Sequence, residues 1–317
     1  MNNKIEIKAY IMLILCTAFW SGNFIVGKVA TLFEIPPITL NFYRWVFAWI
    51  LLAPFTLKEL INNISVIKKN ILPIVVMAIT SISAFNSVVY YALNYTQALN
   101  GVLMISTIPI LIILITSVFK TEKANINQIM GVIISLSGVV IIITKMDIQR
   151  LIHLQLNKGD LWMLVAMLSW AIYSILIKEK KINLKPFILL QTLITLGVIF
   201  LLPIYLLEVA SGKYLPINLP VALTLTYVVL FAGIGAYILW NKAVMIIGAN
   251  RAGTFLHLMP VFSSIMAITI LGESFAKFHL IGALFIVSGI FLSSKKKIPM
   301  KIFITIIFFI LFSRESL

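Results

Sequence analysis

The chain has 317 residues, of which 61% are hydrophobic and 11% charged, and its mean hydropathy is +1.08. Soluble domains carry about a quarter charged residues, so this composition excludes a water-soluble enzyme and leaves a polytopic membrane protein with room for about ten helices of some 20 residues. The net charge of +15 does not indicate a nucleic-acid partner, because Lys and Arg fall in short loops between apolar runs, without interleaved aromatics, where they act as topology signals.

Apolar runs predict spans near 9–28, 38–57, 71–93, 98–119, 125–144, 160–178, 186–208, 219–241, 250–271 and 277–294. The first follows Lys4 and Lys8 but lacks a small-residue cleavage site and continues through Trp20 to Lys28, so it reads as a retained span. It also holds the lone cysteine, Cys16, which excludes an internal disulfide. Arg44 lies within the second run, Asn86, Tyr90 and Tyr91 in the third, and Pro109 in the fourth. The loops are short apart from the connection at 145–159. Trp170 and Tyr173 then fall in the sixth run, Trp240 in the eighth, and His257 and Pro260 in the ninth. After Lys295–Lys297, the apolar stretch 302–312 is too short to cross a bilayer as a helix, and the tail 295–317 is assigned no function.

With the N-terminus inside, 18 Lys and Arg residues lie on the inner side and 6 on the outer, a bias that requires an even number of spans. The prediction is ten helices with both termini cytoplasmic. Seven identities recur at a constant displacement of 151: Ala92/Ala243, Ala98/Ala249, Pro109/Pro260, Glu122/Glu273, Gly131/Gly282, Ser137/Ser288 and Gly138/Gly289. Trp20 and Trp170 match at 150. Each repeat holds five spans, so the second enters the membrane from the opposite side, as in transporters built from inverted repeats. The expected organisation is a first repeat at 1–144, a connecting loop at 145–159, a second repeat at 160–294, and the tail.

Several stretches have the character of a known family. Trp20-Ser21-Gly22-Asn23-Phe24, Pro36-Pro37 and Asn41-Phe42-Tyr43-Arg44-Trp45 resemble EamA-type members of the drug/metabolite transporter superfamily. So do Leu239-Trp240-Asn241-Lys242-Ala243 and Gly248–Gly253 running on to His257, Pro260 and Gly272-Glu273. The resemblance covers residues 9 to 294. It implies ten helices around a central cavity that opens alternately to either side of a bacterial inner membrane, and metabolite or amino-acid transport, often export.

Polar groups inside a bilayer are costly, and each is a candidate for function. Arg44 is the only charge well inside a predicted span, and its planar fork suits a substrate carboxylate, although a snorkelling or backbone-paired arginine is the structural alternative. Asn23 and Asn86 must bond another helix or a ligand. Trp20, Tyr90, Trp170, Tyr173 and Trp240 could wall a cavity or simply pack. His257 is either a proton carrier or a hydrogen-bonded neutral histidine. Pro109 and Pro260 predict matched helix breaks. Gly131, Gly138, Gly282 and Gly289, with Ser137 and Ser288, predict a close-packed small face, between repeats or between protomers. Glu122 and Glu273 read as solvated or helix-capping charges.

No acidic residue falls in the first run, which disfavours a proton-driven exporter of organic cations. HExxH, GxSxG, a phosphate-binding glycine loop and a Cys/His metal cluster are absent, so no metal, no cofactor and no direct use of ATP are expected. The expected partners are a small-molecule substrate and membrane lipids, in a monomer or homodimer. A lipid-modifying enzyme would need clustered nucleophiles or metal ligands at one membrane face. A non-transporting scaffold would have its buried polar groups packed against one another.

Overall fold

Within hydrocarbon no water satisfies the backbone, so a chain this apolar must close its hydrogen bonds inside each segment, as helices do. A computed structural model describes residues 3–93, 95–96, 98–153, 157–272 and 274–294, and its regular structure is entirely helical. Glu273 and the tail beyond 294 lie outside the described residues. The long helices are α1 (Asn3–Leu32), α2 (Pro37–Asn62), α3 (71–93), α4 (98–118), α5 (Ile126–Thr144), α6 (Lys158–Glu179), α7 (Pro186–Ala210), α8 (Leu219–Ile247), α9 (249–271) and α10 (Lys277–Ser293). Among the described residues, nine are long and apolar enough to span a bilayer, and α10 is a shorter apolar helix at the lower end of spanning length. The chain is a multi-pass membrane protein.

Helix ends follow local chemistry. Asn125 with Gln128 and Asn157 with Asp160 form capping boxes on α5 and α6, and Asn218 caps α8. The first helix extends at both ends beyond the predicted 9–28, and α8 continues past 241 until Gly248, whose φ of +90° ends it. Two short helices in loops, Ile64–Lys69 and Ile148–Ile152, were not expected from the sequence.

The two repeats are interlaced rather than side by side. From the first repeat, α1 packs on α8 and α9 of the second; reciprocally, α6 packs on α3 and α4. Helix α2 lies along α7, joined by Thr39 to Glu208 at one end, Trp49 to Thr195 in the middle and Glu59 to Lys185 at the other. That pairing is antiparallel. So is the pairing of α5 with α10, where Gly131 faces Gly289 and Gly138 faces Gly282. Repeat-related helices that run in opposite directions and exchange equivalent contacts are what a two-fold axis in the membrane plane requires.

The glycines meet between repeats, with backbones nearly touching: a Cβ on Gly131 would lie 2.5 Å from the Gly289 carbonyl oxygen. The small face differs from the predicted one in one respect. Ser137 and Ser288 point outward, and Ser135 and Ser293 take the places beside the glycines. In a helix a residue seven positions from another shares its face. Ser137 is displaced from that register by one residue, about 100°, while Ser135 lies four residues from Gly131 and on its side.

Four irregularities are likewise repeat-related. Helix α3 contains a π-helical segment at Ile79–Ala84 and α8 one at Val228–Gly235, overlapping at the displacement of 151. Helix α4 breaks at 106–107, and α9 passes through a 3₁₀ turn at Phe255–His257. Pro109 and Pro260 stand just beyond these breaks, where each lacks the N–H that would have continued the preceding turn. The expected matched breaks are present.

Candidate functional site

Arg44 is carried about 10 Å along α2 from its start at Pro37, at 1.5 Å per residue. Its side chain is 2% exposed. One nitrogen, Nη2, donates to the carbonyl of Ala232 at 2.8 Å, while Nε and Nη1 are buried with no hydrogen-bond partner among the described residues. The guanidinium carbon lies 4.9 Å from the centre of the Trp45 ring. Among the described residues no carboxylate forms an ion pair with it. Arginine cannot shed its proton in a protein, so this is a desolvated cation with unsatisfied donors.

The arginine's acceptor belongs to the π segment of α8, and carbonyls of both π segments are bonded by side chains from neighbouring helices. Ala232 also accepts from Trp20 Nε1 at 3.0 Å, Ser81 accepts from Tyr237 at 2.9 Å, and Ile82 accepts from Asn41 Nδ2 at 3.3 Å. π segments are frequent at functional sites because they redirect side chains and backbone groups within an otherwise regular helix. Gly233 fits the π turn itself, since a Cβ on it would lie 2.9 Å from the Val228 carbonyl oxygen, while Arg44 Nε, at 3.6 Å, is at ordinary contact distance.

Beside this lies a buried aromatic cluster at the junction of the repeats. Trp20 meets its repeat-mate Trp170 edge-on, with ring centres 5.1 Å apart. Trp240 and Tyr173 pack on Trp170, and Tyr237 touches Trp20, Trp45 and Trp170. Phe85 of α3 closes the far side, 4.8 Å from Trp170. Two members are fully paired: Tyr173 donates to Asn241 Oδ1 at 2.7 Å, and Trp240 Nε1 to Ser174 at 3.3 Å. Three of the cluster's indole or amide donors are buried without partners among the described residues: Trp45 Nε1, Trp170 Nε1 and Asn241 Nδ2.

The structure therefore brings Arg44, Trp20, Trp170, Tyr173 and Trp240 into one continuous cluster. Asn86 is buried beside Ser87, which bonds Asn41, and its Nδ2 has no partner; Asn23, one turn beyond Trp20, has an unpartnered Oδ1. The side chain of Tyr90 lies outside the described residues. Trp45, Tyr237, Asn41 and Asn241 join the cluster although sequence reasoning passed over them. Asn41, Arg44, Trp45, Ala48 and Leu52 recur at helical spacing and are all buried, a pattern legible in the sequence once Arg44 is taken to face inward.

His257 stands apart from the aromatic cluster. Its Nε2 lies 3.0 Å from the carbonyl of Ser106, and its Nδ1 lies 2.6 Å from the Ser135 hydroxyl. A carbonyl only accepts, so Nε2 carries the hydrogen and, in the neutral ring, Nδ1 accepts from Ser135. Ser106 is the position related to His257 by the repeat, so this one ring ties the break of α9 to the break of α4 and both to α5. His257→Ala is expected to lower the thermal unfolding midpoint of the purified protein more than Ser135→Ala does. The alanine leaves the Ser106 carbonyl unbonded in a fully buried place, at a cost of about 1–3 kcal/mol. Equal midpoints for the two variants would show that the ring does not clamp the breaks.

A family model described as the EamA-like transporter family matches residues 7–144 and, a second time, residues 157–295. Among curated proteins, an uncharacterized transporter of Archaeoglobus fulgidus is 28% identical over 92% of this chain and 98% of its own length. The uncharacterized transporter YyaM of Bacillus subtilis is 24% identical over 91% of this chain and 94% of its own. A solved structure titled only "Crystal structure of protein" superposes with a TM-score of 0.74 over 90% of this chain and 96% of that one, at 14% identity, which shows a shared fold.

Proposed function

The chain belongs to the EamA-like transporter family, and from that premise we propose that it moves a small carboxylate-bearing metabolite, an amino acid foremost, across the bacterial cell membrane by alternating access. Export is the favoured direction, on the habit of the family. The orientation we infer places both termini in the cytoplasm, because Lys and Arg are concentrated at the ends of the spans on that side.

The observation that carries the substrate class is the unsatisfied Arg44 guanidinium. A buried cation lacking a carboxylate is costly to keep, and a ligand that brings the carboxylate removes the cost. Its planar fork takes a carboxylate through two parallel hydrogen bonds. The unpartnered donors of Trp45, Trp170 and Asn241 extend the same bias toward an acceptor-rich ligand, and the aromatic rings offer an apolar wall to the rest of it. Interlaced repeats related by a two-fold axis supply two equivalent conformations, which is the requirement for alternating access.

Thermal stabilisation of the purified protein tests this reading. An amino acid that is carried should raise the unfolding midpoint saturably, by the equivalent of about 2.7 kcal/mol at a hundred times its Kd. Its carboxamide and its decarboxylated amine should not. Equal stabilisation by the amine would overturn the assignment of an anionic group to Arg44.

A further inference from the structure

The aromatic cluster lies within the bundle, but at one end of the molecule a single carboxylate ties the two repeats through two backbone N–H groups. At the end that holds the N-terminus of α1, the loop between α4 and α5 carries Glu122. Its Oε2 accepts from the backbone N–H groups of Ala249 at 2.9 Å and Asn250 at 3.3 Å, the first residues of α9. The Asn250 side chain returns to the same loop and to α4: Nδ2 donates to the Glu122 carbonyl at 3.4 Å, and Oδ1 accepts from Thr116 at 2.9 Å. Glu122 thus caps a helix of the opposite repeat. A carboxylate at a helix N-terminus satisfies otherwise orphaned N–H groups and meets the positive end of the helix dipole.

Gly248, between α8 and α9, is shaped to this contact in two ways. Its φ of +90° is ill-suited to a side chain, and a Cβ there would collide with the Glu122 carboxylate. Other ties lie at the same end: Glu59 to Lys185 at 2.6 Å, Arg251 to Glu6 at 3.9 Å and Tyr10 of α1 to the Ser294 carbonyl at 3.1 Å join the repeats, and Lys178 meets the Met245 carbonyl at 2.8 Å within the second. The capped segment Ala249–Thr254 is followed at once by the 3₁₀ turn Phe255–His257, where α9 departs from α-helical geometry. The first turns of α9 therefore form a short lever, pivoted at its inner break and held at its outer end by Glu122.

We propose that Glu122 is a positioning residue for transport, the latch that holds this end of the pathway shut, and that its release from Ala249 and Asn250 accompanies each opening to this side. The proposal rests on the alternating-access reading. Its test does not depend on the substrate.

Spin labels are placed on Lys123→Cys in the α4–α5 loop and Met245→Cys near the end of α8, with Cys16→Ser as background. Both label sites are exposed, and the distance between them is measured by pulsed electron resonance in lipid nanodiscs. The otherwise wild-type protein should give one dominant short distance. Glu122→Ala and Gly248→Ala, which attack the contact from opposite sides, should both raise a longer-distance population about tenfold, the equilibrium change that loss of a charge-assisted hydrogen bond produces. Glu122→Gln keeps a carbonyl acceptor in the same place and should fall between, and it carries the test where Glu122→Ala does not fold. Distance distributions in Glu122→Gln and Gly248→Ala that superimpose on the wild type would overturn the proposal, even with lowered thermal midpoints. A wild-type protein that carries no carboxylate, beside Glu122 and Gly248 variants that show the expected distance changes, would refute the substrate assignment and leave the latch standing.

Discussion

Replacing Arg44 by Met is expected to slow transport about thirtyfold or more, since truncating one partner of a buried charged pair costs about 2–5 kcal/mol and each 1.4 kcal/mol is tenfold. The same change should leave the protein folded and at least as stable. The Ala232 carbonyl that accepts from Arg44 also accepts from Trp20 Nε1, so it stays bonded when the arginine is gone. The variant also removes a desolvated cation with two unpartnered nitrogens and puts an apolar chain of similar reach in its place. An arginine kept for structure would behave in the opposite way, losing stability and function together. Thermal unfolding and transport measured on the same preparation separate the two, and a large fall in the midpoint would show that Arg44 holds the helices rather than the substrate.

The largest structural effect is expected at Gly138. A Cβ there would lie 2.5 Å from the Gly282 carbonyl oxygen and 2.8 Å from the Ile286 nitrogen. Both are backbone atoms of α10, so relief requires the two helices to part. Separation would also undo the reciprocal contact of Gly131 with Gly289, because one rigid pair of helices carries both. Gly138→Val should therefore cost about 3 kcal/mol or more, at the upper end of overpacking effects. Its neighbour Ser137 is exposed, and Ser137→Val should change the midpoint little. Similar midpoints for the two variants would mean that the glycine contact does not hold α5 to α10.

The architecture was legible because it is written in features local to the sequence. The length of each apolar run sets a span, and the constant displacement of 151 sets the repeat. Two prolines at that displacement located the breaks, since a missing N–H acts within one turn of its own position. The glycine face was read correctly and its serines were not, because Ser137 and Ser288 obey the repeat but lie beside the packed faces of their helices. The repeat preserves whatever both copies share, inside or out. The π segments carry no comparable mark: Ile79–Ala84 mixes Thr and Ser with apolar residues and Val228–Gly235 holds two glycines, patterns that also occur in regular helices, and the side chains that bond their carbonyls come from other helices.

The same distinction holds at the site. Arg44 is conspicuous as the one charge well inside a predicted span, and its side chain is buried. The pairing of Tyr173 with Asn241 and of Trp240 with Ser174 could not be read from spacing, because each joins residues nearly seventy positions apart. Glu208 stands near the end of α7. It reaches the start of α2, where Pro36 offers no side-chain cap, and accepts from the Thr39 N–H at 2.5 Å. Glu122 plays the same part for α9. In both cases a helix end on one repeat is satisfied by a carboxylate from the other, a tertiary relation that the local sequence does not announce.

The most direct test of the account is accumulation of radiolabelled amino acids in inverted membrane vesicles containing the wild-type protein, beside vesicles containing Arg44→Met. Time-dependent uptake of one or a few amino acids, lost in the variant and competed by other small carboxylates but not by the matching amines, is the predicted result. Folded wild-type protein that accumulates none of the twenty, or an Arg44→Met variant that transports as well as the wild type, would contradict it.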